Sequence, residues 1–276
     1  VKFKKPDYIV CRTKFDQYIA RLAQEQGAKY YLKHRYKSNQ SQKIKVNDKI
    51  LPTDLIIGAD GPHSSVAKNN NMYGNRKFCI GNQVVVKTKC DPQKMEVWVG
   101  HGMFSWFVPE SDTHARVGLC SYDKPEEHLK KLLKTRCPDA PIVAKQPGHI
   151  PIYNPKQILQ KNNVFLIGDA ATQVKATTYG GIVLGMKAAK VLAKDNTKYQ
   201  KNFKKEVGRD LYLSLLMRKI LDKFSIEEFN ELVQIFSQDK LRNILETKSR
   251  DYPTKFVLEL LIKEPRLLKY SKKLLF

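Results

Sequence analysis

Acidic residues are scarce in this sequence. Against 50 Lys and Arg there are only 27 Asp and Glu, a formal charge of +23 over 276 residues. An excess of that size attracts polyanions: nucleic acid, anionic lipid or a phosphorylated cofactor. Only 11 of the basic residues are Arg, the other 39 being Lys, and they are spread along the chain without a nucleic-acid-binding module. No nucleic-acid partner is expected from that pattern. Cysteine is sparse as well. Cys11, Cys79, Cys90, Cys120 and Cys137 form no C-x-x-C pair, and their number is odd. That argues against a disulfide framework and against a zinc site, so no metal is expected and a reducing cytoplasm fits best. Long apolar runs are missing too: nothing approaches the roughly 18 residues a spanning helix needs, and no signal peptide is recognisable. The first residue is Val1, so the chain is expected to begin inside a longer reading frame.

What is present is 42% hydrophobic, enough to bury a core. Phe15, Ile19, Leu22 and Ala23 fall on one helical face, so the spacing predicts a helix from Arg12 to Gly27, where glycine accepts the left-handed conformation after the last turn. Ala28–Leu32 reads as a strand. Ile44–Val46 and Lys49–Leu51 flank Asn47-Asp48, a hairpin signal. Leu55-Ile56-Ile57 and Val164–Ile167 are short continuous apolar runs, the pattern of strands buried on both faces. Between them, Val84–Val86, Val97–Val99, Phe104–Val108 and Arg116–Leu119 are β-branched or aromatic and separated by Gly, Pro and Asp, which predicts an antiparallel sheet. Pro125–Arg136 reads as a helix with proline near its start. From Ile182 to Phe276 nearly everything reads as helix, broken at Pro253 and Pro265. This order describes an α/β protein with an inserted antiparallel module.

Two segments point to chemistry. In Leu55-Ile56-Ile57-Gly58-Ala59-Asp60-Gly61 a strand delivers small residues and a carboxylate to its carboxyl end, where open α/β sheets bind ligands. The same residues also suit a plain strand-to-turn junction, and both readings stay open. In Val164–Ala171 a second strand delivers Gly168, Asp169 and Ala170. Thr177-Thr178-Tyr179-Gly180-Gly181-Ile182 then opens a helix carrying Gly185, Ala188 and Ala189 in its early turns. A helix N-terminus offers unpaired N–H groups and partial positive charge to an anionic ring. The other reading is a helix packed tightly on a sheet, which also requires Gly and Ala.

Together the two segments resemble the flavoprotein monooxygenase-like superfamily, and Gly168 to Ile182 resembles its geranylgeranyl reductase branch in particular. The branch favours a Gln-Val-Lys, Thr-Thr and triple-Gly pattern; here these are Gln173-Val174-Lys175 and Thr177-Thr178, and Tyr179 stands where the first of the three glycines would be. Arg12-Thr13-Lys14-Phe15-Asp16 is similar to the family's Arg-x-x-Phe-Asp element. Phe104-Ser105-Trp106-Phe107-Val108-Pro109 is similar to its aromatic-x-Trp-x-Phe-Pro motif, with Phe104 for the usual Tyr and Val108 for Phe. Arg250-Asp251-Tyr252-Pro253 and Glu264–Leu268 resemble punctuation in its helical tail. The resemblance implies an FAD cofactor near Arg12, Asp60, Gly61, Gly168, Asp169, Ala170, Gly180, Gly181 and Ile182, with Asp169 on the ribitol. It implies a substrate cavity at Phe104, Trp106 and Pro109.

The resemblance also divides the chain. Residues 1–75 and 156–196 would form a Rossmann-like FAD-binding domain, 76–155 an antiparallel-sheet substrate domain and 197–276 a helical region. The family's G-x-G-x-x-G unit, which cradles the pyrophosphate, is not found in these 276 residues. The FAD domain is therefore expected to be incomplete and this chain alone inactive. The implied activity is reduction of isolated C=C bonds in a prenyl lipid or prenyl diphosphate, with NAD(P)H or ferredoxin as the electron donor. The same motifs also suit a flavin-dependent monooxygenase or halogenase, or a truncated product without activity. No His or carboxylate stands in a motif that marks a proton donor. Lys255, Lys263, Arg266, Lys269, Lys272 and Lys273 accompany leucines in a basic amphipathic tail, suited either to peripheral contact with anionic lipid or to a helical cap on the core.

Overall fold

The computed structural model describes residues 8–249 and 251–275; Arg250 of the tail motif lies outside them. The first helix, α1, runs Arg12–Glu25 and ends before Gly27, whose φ of +91° only glycine adopts without strain. Its apolar face forms as the spacing predicts but packs into no core among the described residues: Ile19 and Leu22 are exposed. Ala28–Leu32 is not a strand. Tyr30, Tyr31 and Leu32 are exposed there without a pairing strand, and the strand comes later, β1 at Tyr36–Gln40. β1 joins β2 (Lys43–Val46) and β3 (Lys49–Pro52) in an antiparallel sheet. The Asn47-Asp48 turn closes it with Val46 opposite Lys49, and Asn47 takes the left-handed φ that such a turn needs.

β4 (Ile56–Gly58) leads into a short helix, α2 (Ser65–Asn69). A five-stranded antiparallel sheet follows. It comprises β5 (Phe78–Lys87), β6 (Glu96–Gly100), β7 (Gly102–Pro109), β8 (His114–Ser121) and β9 (Ile142–Pro151), in the order β6-β7-β8-β5-β9. The antiparallel block is as predicted except for β9. That strand is exposed over most of its length and carries Pro, Gly and His, so it lacks the apolar alternation that marks a strand. Helix α3 (Pro125–Arg136) packs Leu129 and Leu132 onto Val84, Val86, Phe107 and Val117 of the sheet. Pro125 starts it, and Glu126, Glu127, Lys134 and Arg136 match its dipole.

β10 (Gln160–Lys161) and β11 (Val164–Leu166) complete a second small sheet in the order β10-β11-β4, with β11 and β4 parallel. β11 is buried throughout. Among the described residues β4 lies at the edge of this sheet, and its Ile57 is 47% exposed while Ile56 is buried. The main core lies between these strands and helix α4 (Ile182–Lys194), where Ile56, Leu166, Leu184 and Ala188 meet Tyr199 and Phe203 of α5 (Tyr199–Phe203). The rest is helical: α6 (Arg209–Leu221), α7 (Ile226–Ser237), α8 (Asp239–Thr247), α9 (Val257–Lys263) and a 3-10 turn over Pro265–Leu274.

Candidate functional site

The parallel pair β4 and β11 aligns Ile56 with Val164 and Gly58 with Leu166. Asp60 and Asp169 therefore leave neighbouring strands on the same edge of the sheet. Gly58 has no room for a side chain: a Cβ there would stand 2.7 Å from Leu166 and 2.9 Å from Val66. That glycine serves helix packing. Asp60 is exposed and accepts the Val66 amide at 3.1 Å, so one of its oxygens caps α2, while Gly61 turns the chain with φ +80°.

Asp169 is different. Its carboxylate is half-buried. Burial raises its pKa, the positive charge of Arg12 pulls it back down, and no hydrogen bond contributes. A carboxylate so placed still has lone pairs to offer. Gly181 caps α4 without a side-chain bond, and a Cβ on it would lie 3.1 Å from Asp169 Oδ1. The first helical bond, Gly185 N–H to the Gly181 carbonyl, is 2.8 Å. The amides ahead of it, from Ile182 onward, have no partner within the helix. Gly168 turns with φ +61° and Ala170 is fully buried behind it, whereas Gly180 and Ile182 are exposed. Arg12 is exposed and ion-paired with Asp16 at 3.0 Å, yet its charge reaches Asp169. The structure thus brings Gly168, Asp169 and Gly181 together at one edge, within reach of the Arg12 charge, and among the described residues the Asp169 carboxylate accepts no hydrogen bond. Asp60 and Gly61 lie on the adjoining loop.

What holds that edge together was invisible in the sequence. Arg76, only 9% exposed, donates from Nη1 to the Pro62 carbonyl (2.9 Å), from Nη2 to the Ala170 carbonyl (2.7 Å) and from Nε to the Tyr73 carbonyl (2.8 Å). Its guanidinium also lies 4.0 Å from the Tyr73 ring. One side chain so ties the Asp60 loop to the Asp169 loop, although Asn75-Arg76-Lys77 belongs to no motif. Gln173 is fully buried. It accepts the Gly168 amide at 2.7 Å and donates to the Tyr199 hydroxyl, which donates in turn to the Leu166 carbonyl. Lys175 pairs with Asp251 at 2.5 Å, and the Thr177 amide donates to Ser214 Oγ at 3.1 Å. The Gln-Val-Lys and Thr-Thr run is therefore scaffolding that anchors the loop to β11, α6 and the tail.

The aromatic motif lies on β7. Phe104, Trp106 and Val108 are half-buried on one face; Ser105, Phe107 and Pro109 are buried on the other. Pro109 was expected beside Phe104 and Trp106, but strand alternation turns it to the α3 side with Phe107. Tyr179 closes this wall from the α4 loop. Its ring is parallel to that of Phe104, with centroids 6.0 Å apart, and Phe104 and Trp106 are 5.7 Å apart. Cys79, Cys120 and Val174 pack behind them. The Trp106 indole donates to Gln83 at 2.9 Å. The basic tail is largely neutralised internally: Lys263 pairs with Glu259, Arg266 with Glu264, Lys269 with Glu231 and Lys273 with Glu228.

No family model matches the sequence. Known relatives do. The digeranylgeranylglycerophospholipid reductase of Methanocaldococcus jannaschii is 27% identical, over 99% of this chain and 77% of its own length. A second such reductase, from Methanothermobacter thermautotrophicus, is 26% identical over 90% of this chain and 74% of its own. The chain is a homologue of these reductases. Among solved structures, a geranylgeranyl bacteriochlorophyll reductase-like protein of Thermoplasma acidophilum superposes with a TM-score of 0.80 at 21% identity, covering 99% of this chain and 78% of that one. The flavin-dependent halogenase CmlS superposes with a TM-score of 0.62 at 13% identity, over 94% and 59%. This chain therefore shares an α/β fold with that reductase-like protein and with a flavin-dependent halogenase.

Proposed function

We propose that the protein binds FAD at the Asp169–Gly181 edge and reduces isolated C=C bonds of geranylgeranyl-type chains in lipid biosynthesis. The similarity to named prenyl-lipid reductases over nearly the whole chain carries this reading. The residues present fit the cofactor. A half-buried carboxylate that accepts no hydrogen bond among the described residues suits a polyhydroxylated ligand, and Gly181 leaves the backbone open beside it. Reduced flavin, when bound, supplies the hydride. The chain contributes acceptors at Asp169, donor amides at α4 and an apolar wall at Phe104 and Trp106 that suits a prenyl chain without polar handles. The electron donor in this reading is NAD(P)H or a ferredoxin.

The test is anaerobic. Flavin-loaded protein that also carries the pyrophosphate-binding G-x-G-x-x-G unit, reduced chemically, is mixed with a digeranylgeranyl glycerophospholipid, and lipid mass is followed. A gain of two hydrogens per bond with matching flavin reoxidation is expected; no mass gain overturns the reading. In parallel, Asp169→Ala loses charged hydrogen bonds worth about 1.5–3 kcal/mol each, so FAD retention after dialysis should fall on the order of 10-fold or more. Flavin content equal to the parent removes Asp169 from the site.

A lipid substrate makes peripheral membrane contact part of the same proposal. Among the described residues no helix is long and apolar enough to cross a bilayer. The tail cations are mostly paired, but Leu258 and Ile262, one turn apart on α9, are 68% and 70% exposed. Apolar insertion is therefore expected to outweigh charge. Sedimentation with liposomes should survive 0.5 M salt, and Leu258→Ser with Ile262→Ser should abolish it. Binding that vanishes with salt would assign the contact to the basic residues instead.

A further inference from the structure

The tail segment after α8 folds back onto the loop that opens α4, and Lys175 is where the two meet. Its amide donates to the Gly180 carbonyl at 3.1 Å, and its carbonyl accepts the Tyr179 amide at 2.7 Å, so both of its backbone groups hold the far end of a closed turn. Gly181, which caps α4, comes next in the chain. Lys175 is 8% exposed, and among the described residues its one ion-pair partner is Asp251, at 2.5 Å. The loop and the tail are also held by the same helix. On α6, Asp210 and Ser214 stand one turn apart on one face, and both are buried. Ser214 Oγ accepts the Thr177 amide of the loop at 3.1 Å. Asp210 Oδ1 accepts the Thr254 amide at 2.9 Å and the Thr254 hydroxyl at 2.6 Å, in a 3-10 turn over Pro253–Lys255. Tyr252 adds a contact to α4 itself: its ring centroid lies 3.9 Å from Nζ of Lys187. Loop, α6 and tail thus form a closed triangle beside the first turns of α4.

We propose that Asp251 is a positioning residue of the FAD site, acting through Lys175 on the N-terminus of α4. The inference rests on the reading of the Asp169–Gly181 edge as the flavin site. A buried ammonium needs a counter-charge, and removing the partner of a buried ion leaves that charge uncompensated. Without Asp251 the Lys175 side chain must turn out to water. Its backbone carries Gly180 with it, because the turn closes on both Lys175 backbone groups. Gly181 follows directly. A Cβ there would lie 3.1 Å from Asp169 Oδ1 and 3.4 Å from Val174, so a small displacement changes the spacing between the carboxylate and the first amides of α4. A ligand that uses both needs that spacing fixed to about half an ångström. Asp251 touches no ligand in this arrangement. It acts from the helical tail, which thereby becomes part of the cofactor site.

The test has two arms. The first uses the chain without flavin and follows amide hydrogen exchange by mass spectrometry. Asp251→Ala should quicken exchange over residues 175–185 at least about 10-fold, the loss of one charge-assisted bond, and leave β5 and β8 unchanged. Asp251→Glu keeps the carboxylate and should restore most of the protection. Thr254→Val removes one tail bond to Asp210 and spares the ion pair, so it should give the same local pattern more weakly; it carries the test if Asp251→Ala does not fold. Exchange over 175–185 equal to the parent in the folded variant overturns the tie. Loosening that Asp251→Glu leaves unreversed assigns the effect to shape and overturns the role of the charge. The second arm uses protein that also carries the G-x-G-x-x-G unit. Its Kd for FAD should rise about 5-fold or more in Asp251→Ala and return toward the parent value in Asp251→Glu. A parent that binds no FAD overturns the flavin reading itself. A parent that binds FAD, with an Asp251→Ala protein loosened over 175–185 yet equal in Kd, overturns the positioning role alone.

Discussion

Replacing Arg76 with Met should lower the melting temperature by about 10 °C. The guanidinium makes three bonds to carbonyls from two loops and the segment between them, at 2.7–2.9 Å, in a site only 9% exposed. Methionine fills much of the volume and offers no donor. The Pro62, Tyr73 and Ala170 carbonyls would lose their partner, and a buried unsatisfied group costs about 1–3 kcal/mol. Part of that is recovered by water at the loop surface, leaving about 3–5 kcal/mol. For a chain of this size each kcal/mol corresponds to about 2–4 °C. Lysine has one nitrogen where Arg76 uses three, so Arg76→Lys should restore less than half of the loss. The same variants should bind FAD more weakly, because the Ala170 carbonyl belongs to the loop that presents Asp169. Thermal unfolding of parent, Arg76→Met and Arg76→Lys proteins checks this; a melting point for Arg76→Met within about 2 °C of the parent would refute the clamp.

Trp106→Ala should leave FAD bound and reducible while lowering prenyl turnover on the order of 10-fold to 100-fold, the rate equivalent of about 1.5–3 kcal/mol of lost apolar contact. The argument depends on faces. Trp106 stands on the half-buried face of β7 with Phe104, whereas Phe107 on the opposite face fills the core under α3. Truncating Trp106 therefore strips the wall without opening the main core. Its single polar tie, to Gln83, is lost at modest expense because Gln83 also donates to Gln146 and is not fully buried. Gly118→Ala offers an independent check. A Cβ there would sit 2.7 Å from Trp106 Cζ2 and 2.8 Å from Cε2, backed by the strand itself. The indole must tilt off the sheet, so turnover should fall although Trp106 remains. Melting temperature, flavin content and prenyl reduction are measured on one preparation of each. Loss of flavin together with activity would reassign the motif to the fold. Unchanged kinetics in a stable Trp106→Ala protein would remove it from the pocket.

The sequence by itself determined the elements whose signal is local. Leu55–Gly58 and Val164–Ile167 announce strands because apolar side chains follow one another without interruption. Asn47-Asp48 announces its hairpin because few other pairs accept that turn, and Pro125 with flanking charges announces α3. The aromatic alternation in Phe104–Val108 announced its two faces. The elements misread are those whose partners decide them. β9 becomes a strand through β5, despite a sequence rich in breakers, and Ala28–Leu32 is no strand, with no described strand beside it to pair with. Ile57 is exposed where, among the described residues, no strand pairs with β4 on its outer side, a property of neighbours and not of the run.

For the candidate site the division is sharper. Gly-Asp after a buried strand singles out Asp169 in one dimension, although a helix packed tightly on a sheet would use the same small residues. Nothing local marks Arg76, Tyr122, Arg218 or Asp222. Each is a single polar residue whose partner lies elsewhere in the chain or, for Arg218 and Asp222, within an ordinary-looking helical segment. Arg76 reaches across 94 residues to Ala170, and Tyr122 across 100 to Asp222. Periodicity reports which faces are apolar, because burial of apolar area is additive along an element. Buried polar ties depend on direction and distance between segments brought together only by folding, so the Arg76 clamp and the Tyr122–Asp222–Arg218 ties are products of the tertiary structure alone.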